Sequence, residues 1–319
     1  MRKGQNPAKF ISQVARPERI TVAVLNYIPF LSGFYAQTLD VLKTCLRSIW
    51  AHTDMPYDLL VFDNGSCQEA IDFLTDAQDE GKIQYLILAE KNLGKGGAWN
   101  VILNAAPGEI IAYTDNDAYF YPGWLSKSVQ ILESFPHVGM VTSRPFRTPP
   151  DLYQSTIQWA EADQSVKLER GHFVPWEEFR AFDMSLGQPE QEVREHYEKT
   201  EDIRLTYHGL TAQVGASHWQ FLAYKKVMQQ FLPFDMERPM GQVRQLDQRI
   251  NKAGYLRLMP VEFLAQNMSN RLDWIHSPEE AKNSPKSEKR FGKMFLNRPM
   301  VKRFLLGVHD RIFRWYYDD

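Results

Sequence analysis

Ile110-Ile111-Ala112-Tyr113-Thr114-Asp115-Asn116-Asp117 decides how the rest of the chain is read. An apolar run of strand character stops abruptly at two carboxylates one residue apart. Alternation along a strand would turn Asp115 and Asp117 to the same side. Paired hard oxygens at a strand's exit suit Mg²⁺ or Mn²⁺, which in turn would hold phosphate oxygens. Asn and Asp also form turns readily, so the same residues can be read as a solvated Asp-Asn-Asp turn.

Upstream, two more strands end in polar, turn-forming residues. Ile20 to Leu25 is short, apolar and β-branched, and runs into Asn26-Tyr27. Asp58 to Phe62 is followed by Asp63-Asn64-Gly65-Ser66. Between them, Thr38 to Ala51 has an amphipathic helical pattern, with Leu42, Cys45, Leu46, Ile49 and Trp50 on one stripe. Ser66 and Glu69 have the spacing of a capping box that opens a second helix. A third strand, Ile83 to Leu88, precedes Asn92-Leu93-Gly94-Lys95-Gly96-Gly97-Ala98-Trp99-Asn100, which starts a further helix. Strand and helix in this rhythm imply a parallel sheet, and in such sheets ligands collect beyond the carboxyl ends of the strands. Tyr27, Asp63 and Asp115 all fall at such ends. Lys95 and its glycines begin a helix, where free N–H groups and a cation favour phosphate.

These motifs together resemble the GT-A glycosyltransferases, and most closely the inverting, nucleotide-sugar-dependent enzymes of family 2. The resemblance rests on Val22 to Tyr27, Phe62 to Ser66, Asn92 to Asn100 and Tyr113 to Asp117, with Tyr121-Pro122-Gly123-Trp124-Leu125 following the acidic motif as it does in that family. It covers residues 18 to 145 closely and 215 to 267 more loosely. It implies an α/β, Rossmann-like GT-A fold with a mostly parallel sheet flanked by helices. It also implies that Asn26, Tyr27, Asp63, Asn92, Lys95 and Gly96 bind the nucleotide. Asp115 would contact ribose or metal, and Asp117 would hold the Mn²⁺ or Mg²⁺ that bridges the two phosphates.

Composition agrees. At 319 residues the chain can bury a full core as one large domain or two small ones. A formal net charge of −2 argues against a dedicated nucleic-acid binder. Two cysteines, Cys45 and Cys67, provide neither a disulfide framework nor zinc-site spacing, so a reducing cytoplasm is the expected setting. No apolar run is long enough for a transmembrane helix, and Met1 to Glu18, polar and basic, reads as a flexible arm rather than a secretory signal. The catalytic domain is expected over residues 19–281.

Within it, residues 145–207 exceed what a family 2 domain uses to connect these strands, and read as a helical, aromatic insertion over the acceptor side. Its helical stretch, Glu177 to Lys199, is broken at Gly187-Gln188-Pro189. Its aromatics, Trp159, Phe173, Trp176, Phe179, Phe182 and Tyr197 among them, could stack on sugar rings or could form a local core for the insertion.

Inverting transfer needs a base to take the acceptor hydroxyl's proton. By resemblance the base comes from an acidic pair ahead of a helix that ends in Arg and then Gly-aromatic. Phe234-Asp235 and Arg249, Gly254, Tyr255 fit that frame, but the acidic slots hold Gln242 and Val243. Asp247, one helical turn after Val243 on the same face, is the expected catalytic base, with Asp235 and Glu237 as alternatives. Asp247 could equally be a surface carboxylate paired with Arg244 or Arg249. The slot where the family often places a metal-binding His after the strand Leu256 to Phe263 holds Gln266 or Asn267, whose amide oxygens could still coordinate a hard cation, though more weakly; His276, on the following loop, is the alternative metal ligand.

Residues 282–319 carry ten basic against four acidic side chains with interleaved apolar residues, and read as a basic amphipathic segment divided near Pro299. Such a segment could lie on an anionic membrane surface, or pack its apolar stripe on the domain or on a second subunit in a homodimer. The expected activity is hexosyl transfer from a nucleotide-diphospho-sugar, a UDP-sugar favoured, to a hydroxyl of a glycan or lipid-linked acceptor. It would take place in the cytoplasm or at the inner face of the membrane. A retaining GT-A transferase and a nucleotide-sugar-binding protein without activity are the alternatives left by the empty acidic slots.

Overall fold

The computed structural model describes residues 4–237 and 243–272. The chain alternates strand and helix through its first half: β1 (Ile20–Asn26), α1 (Thr38–His52), β2 (Asp58–Asp63), α2 (Gln68–Asp79), β3 (Tyr85–Leu88), α3 (Gly94–Ala105) and β4 (Ile110–Asp115). A short β5 (Ala118–Phe120), α4 (Trp124–Ser134) and β6 (Val138–Val141) follow. The long connection then forms α5 (Gln154–Ala162), β7 (Lys167–Gly171), α6 (Trp176–Ser185), α7 (Glu190–Lys199) and β8 (Asp202–Tyr207). The described chain is completed by β9 (Leu210–Val214), β10 (Gln220–Tyr224), α8 (Lys225–Met228), α9 (Val243–Lys252), β11 (Leu256–Met259) and β12 (Ala265–Asn267).

Ten strands form one sheet in the order β3-β2-β1-β4-β10-β6-β11-β9-β8-β7, and β12 pairs with β5 in a separate ribbon. β3, β2, β1 and β4 are mutually parallel, as are β6 and β11. β10 lies antiparallel between β4 and β6. The expected α/β architecture is thus present. The insertion differs from a purely helical addition: β7 and β8 extend the same sheet as antiparallel strands beside β9.

Strand alternation explains why both sheet faces are covered. Val22 and Val24 of β1 enter one core with Val41, Leu42 and Cys45 of α1, Leu74 of α2 and Leu125 of α4. Ala23 and Leu25 enter the other with Ala98, Trp99 and Ile102 of α3 and Leu246 and Ile250 of α9. A strand buried on both faces must be apolar throughout, which is why Ile20 to Leu25 shows no polar alternation beyond Thr21. The stripe expected on α1 is buried at Leu42, Cys45, Leu46 and Ile49.

One local expectation fails. Ser66 does not cap α2; Cys67 is the residue preceding the helix, and it makes no side-chain cap. The Ser66 hydroxyl instead accepts hydrogen bonds from Asn26 Nδ2 at 3.0 Å and Ile28 N at 2.9 Å. A partner on β1 outcompetes the local one because it ties two strand exits together.

The insertion's aromatics divide between two cores: Phe179, with Val174 and Val193, is buried in a small core of its own on which Trp176 and Tyr197 pack, whereas Phe182 is buried in the main core and Trp159 packs on it. Arg147 is clamped within the small core. Its guanidinium lies 4.7 Å from the Phe179 ring centre and 4.6 Å from that of Tyr197, and Nε donates to Asp202 Oδ1 at 2.9 Å. No helix among the described residues is long and apolar enough to cross a membrane.

Candidate active site at the carboxyl ends of β1, β2 and β4

Parallel pairing brings the strand exits level. Asn26 stands opposite Asp63, and Leu25 opposite Asp115. Asp63 is fully buried, and its oxygens are all used. Oδ2 accepts from Gly65 N at 3.2 Å and Ser66 N at 2.9 Å, and Oδ1 from Asn26 Nδ2 at 2.7 Å. Asn26 Oδ1 then accepts from Asn116 Nδ2 at 2.6 Å, so one chain of hydrogen bonds links β2, β1 and the acidic turn. Tyr27, half-buried just beyond, meets the ring of Tyr35 edge-on at 6.4 Å.

Gly65 has φ +84°, and a Cβ there would stand 3.0 Å from the Lys91 carbonyl carbon and the Asn92 amide nitrogen. Only glycine lets these two loops approach so closely. Asn92 builds the second loop: its Oδ1 accepts from Asn64 Nδ2 at 2.9 Å and Gly94 N at 2.7 Å. This holds the first turn of α3, with Gly96 buried inside it and Lys95 directed at the acidic strand end. Lys95 Nζ donates to Asp115 Oδ2 at 2.6 Å. Asp115 Oδ1 accepts from the Tyr113 hydroxyl at 2.6 Å. Burial first, and the Asp115 charge second, hold that hydroxyl well above the usual tyrosine range, so it stays a donor.

β4 ends at Asp115, and Asn116-Asp117 form a turn into β5, so strand alternation does not set the direction of Asp117. Tertiary contacts do. Its backbone carbonyl accepts from Met268 N at 2.7 Å, and the Asn267 amide beside its carboxyl favours the charged form. Oδ1 is shielded from solvent and has no hydrogen-bond partner. Burial, then the neighbouring Asp115 charge, push the Asp117 carboxyl up to about 7, against the opposing pull of Lys95.

That state suits a cation. An orphaned carboxylate oxygen beside a second carboxylate is a hard-oxygen donor pair of the kind Mg²⁺ and Mn²⁺ accept. Among the described residues no group of three or more His, Cys, Asp or Glu converges on one point. The protein's share of such a site is therefore small, as when one or two carboxylates hold an ion whose remaining ligands are substrate phosphates. Gln266 and Asn267 lie on β12, opposite β5, and the Tyr121 hydroxyl donates to Gln266 Oε1 at 2.8 Å. His276 lies outside the described residues, as do Gln242 and the segment 282–319.

Asp247 sits on α9 as the spacing requires, but its carboxylate is directed inward and is 4% exposed. Oδ1 accepts from Arg257 Nη2, and Oδ2 is 2.7 Å from His218 Nδ1. It pairs with neither Arg244 nor Arg249; Arg244 reaches Asp151 at 3.1 Å, and Arg249 donates to the Phe231 carbonyl at 3.0 Å. Arg257 is fully buried in β11, and its guanidinium also donates to the Leu152 and Ala216 carbonyls, each at 2.6 Å. Burial lowers the Arg257 pKa, and the Asp247 charge works against that. His218 and Arg257 had no signal in the sequence, because they lie 29 and 10 residues from the aspartate they bind and belong to no motif. Asp235, one of the alternative carboxylates, accepts from Glu237 N at 2.7 Å in an exposed turn.

An open cavity of about 860 Å³, lined by Gly108, Glu109, Lys225 and Tyr255 among others, lies at the amino end of β4. It is at the opposite end of the strand from these carboxylates and contains none of them.

Residues 34–184 match the family described as Glycosyl transferase family 2. The resemblance carried by the motifs is thereby borne out, and this part of the chain is of the family 2 glycosyltransferase type. β1, with Asn26 and Tyr27, precedes the matched span. An uncharacterized glycosyltransferase of Nostoc sp. is 28% identical over 123 residues, which are 39% of this chain and 35% of that protein. The succinoglycan biosynthesis protein ExoW of Rhizobium meliloti is 27% identical over 104 residues, 32% of this chain and 33% of that protein. The chain thus spans about a third of the length of these curated relatives. Among solved structures, the mannosyltransferase PcManGT from Pyrobaculum calidifontis, in complex with GDP-Man and Mn²⁺, shares 18% identity at a TM-score of 0.44, over 77% of this chain and 55% of that one.

Proposed function

We propose that the protein transfers a sugar from a nucleotide-diphospho-sugar, a UDP-sugar foremost, to an acceptor hydroxyl with inversion at the anomeric carbon. The observation that carries this reading is the gathering of Asp63, Asp115 and Asp117 at neighbouring strand ends, with Lys95 at a helix start and one Asp117 oxygen left without a partner.

In this reading Tyr27, Asn26 and Asp63 form the nucleoside pocket, and the exposed edge of the Asn92–Gly96 loop lies along the diphosphate. Asp117, with Asp115 beside it, would hold Mn²⁺ or Mg²⁺. Such an ion neutralises charge on a departing diphosphate. Lys95 keeps Asp115 fixed and offsets its charge, so two carboxylates can stay close together. The insertion, residues 145–207, borders the acceptor side. An acceptor hydroxyl approaching the sugar from the β10 side meets the neighbourhood of His218 and Asp247, where its proton can be taken.

The test uses the full chain with Mn²⁺ and a panel of UDP-, GDP- and dTDP-sugars against monosaccharide and lipid-linked sugar acceptors. The expected result is release of one nucleoside diphosphate together with a product of opposite anomeric configuration to the donor. A product of retained configuration would overturn the inverting reading. Absence of transfer across the panel would leave a nucleotide-sugar-binding protein.

A further inference from the structure

We propose that His218, held by Asp247, is the group that removes the acceptor's proton, and that Asp247 acts only by positioning it. The inference rests on the transferase reading above.

Three observations lead to it. First, Asp247 has no oxygen to spare. Arg257 and His218 each take one, and the carboxylate is 4% exposed, whereas the His218 side chain is 29% exposed. Of the two, only the imidazole can meet a hydroxyl arriving from solvent. Second, the hydrogen bond sets the tautomer. A carboxylate has no proton to donate, so Nδ1 carries the hydrogen at 2.7 Å from Asp247 Oδ2, and Nε2 presents its lone pair. Nε2 has no hydrogen-bond partner among the described residues. Third, His218 is at the right end of the sheet. Gln220 of β10 pairs with Thr114 of β4, and Asp115 N donates to the Trp219 carbonyl at 2.9 Å. His218 therefore stands just beyond the same strand end that presents Asp115.

The arrangement is a base oriented by a buried carboxylate, with the carboxylate itself anchored by a buried guanidinium. In the step, His218 Nε2 takes the proton from the acceptor O–H as the oxygen's electron pair forms the bond to the anomeric carbon. The bond from that carbon to the β-phosphate oxygen breaks, and its electron pair leaves with the nucleoside diphosphate. Nδ1–H stays on the imidazolium, facing the Asp247 carboxylate, which stabilises the positive charge formed there.

The experiment compares wild type, His218→Ala and Asp247→Asn, using the best donor and acceptor from the panel, with UDP and Mn²⁺ as the binding probe. His218→Ala removes a partly exposed side chain and should fold. It should lose about 10²–10⁴-fold in kcat, with donor KM and UDP affinity unchanged. Added imidazole should restore part of the loss, which a structural role would not allow. Asp247→Asn should lower kcat with donor KM unchanged, and imidazole should not rescue it. Wild-type kcat in His218→Ala, or a loss that imidazole leaves untouched, would overturn the proposal. Absence of transfer by the wild type would instead remove the transferase reading and this inference with it.

Discussion

Asp117 carries its charge where burial and Asp115 both oppose it, and this has a measurable sign. Its folded-state value of about 7 lies above its ordinary 3.8. Between those values the folded chain holds a proton that the unfolded chain has released, so this group's contribution to stability falls as pH rises from about 4 to about 7. In chelator, Asp117→Asn should therefore raise Tm by a few degrees at about pH 8 and leave it nearly unchanged at about pH 4. Thermal scans at both pH values check this, and an equal shift at both would count against the buried charge. The same proton competes with the cation. Mn²⁺ should tighten UDP binding at about pH 8, the gain should shrink as pH falls through about 7, and Asp117→Asn should abolish it. Calorimetric titration reads all three.

At the scale of elements, the site depends on how closely α9 is held to the sheet. Gly139 of β6 lies where Tyr255 and Ile250 pack, and a Cβ there would come 2.6 Å from Tyr255 Cβ and 2.9 Å from Ile250 Cγ2. Gly139→Ala must push the end of α9 outward, at a cost of about 1–3 kcal/mol. Because Asp247 rides on α9, the variant should lose more in kcat than in UDP affinity; denaturation and kinetics together measure this. The insertion has its own anchor in the buried pair of Arg147 and Asp202, whose side chains are 4% and 0% exposed. Asp202 also accepts from Phe173 N and Val174 N, each at 2.8 Å. Arg147→Met leaves that carboxylate buried without its cation and should cost about 3–5 kcal/mol. The loss should appear as faster proteolysis within residues 170–200 before the rest of the chain unfolds.

For the whole molecule, the division of labour is along the sheet. The parallel half presents the residues proposed to bind the nucleotide. The antiparallel β10, placed between β4 and β6, carries the chain back so that His218 borders the same strand end. The segment 282–319 makes a separate prediction from its charge alone. The full chain should co-sediment with vesicles containing anionic lipid at low salt, and truncation after Asn283 should abolish this while leaving UDP binding intact. An insoluble truncation would mean instead that the segment's apolar residues pack on protein.

Local patterns were sufficient for the parallel half of the sheet. β1, β2, β4 and α1 are continuous apolar or amphipathic runs whose period belongs to the sequence itself, and Asn26, Asp63 and Asp115 fall at their ends because strands stop where polar turn formers begin. Parallel pairing then had little freedom, since each strand must bury both faces. What the sequence could not decide were contacts between residues far apart along the chain. The orphaned oxygen of Asp117 comes from β12 docking beside β5. The loss of Ser66 as a helix cap comes from a partner forty residues upstream. The inward turn of Asp247 comes from Arg257 and His218, which only the closed sheet brings to it. A carboxylate's identity is written in the chain, but whether it is free to act depends on which cations and donors surround it, and here the tertiary structure set that.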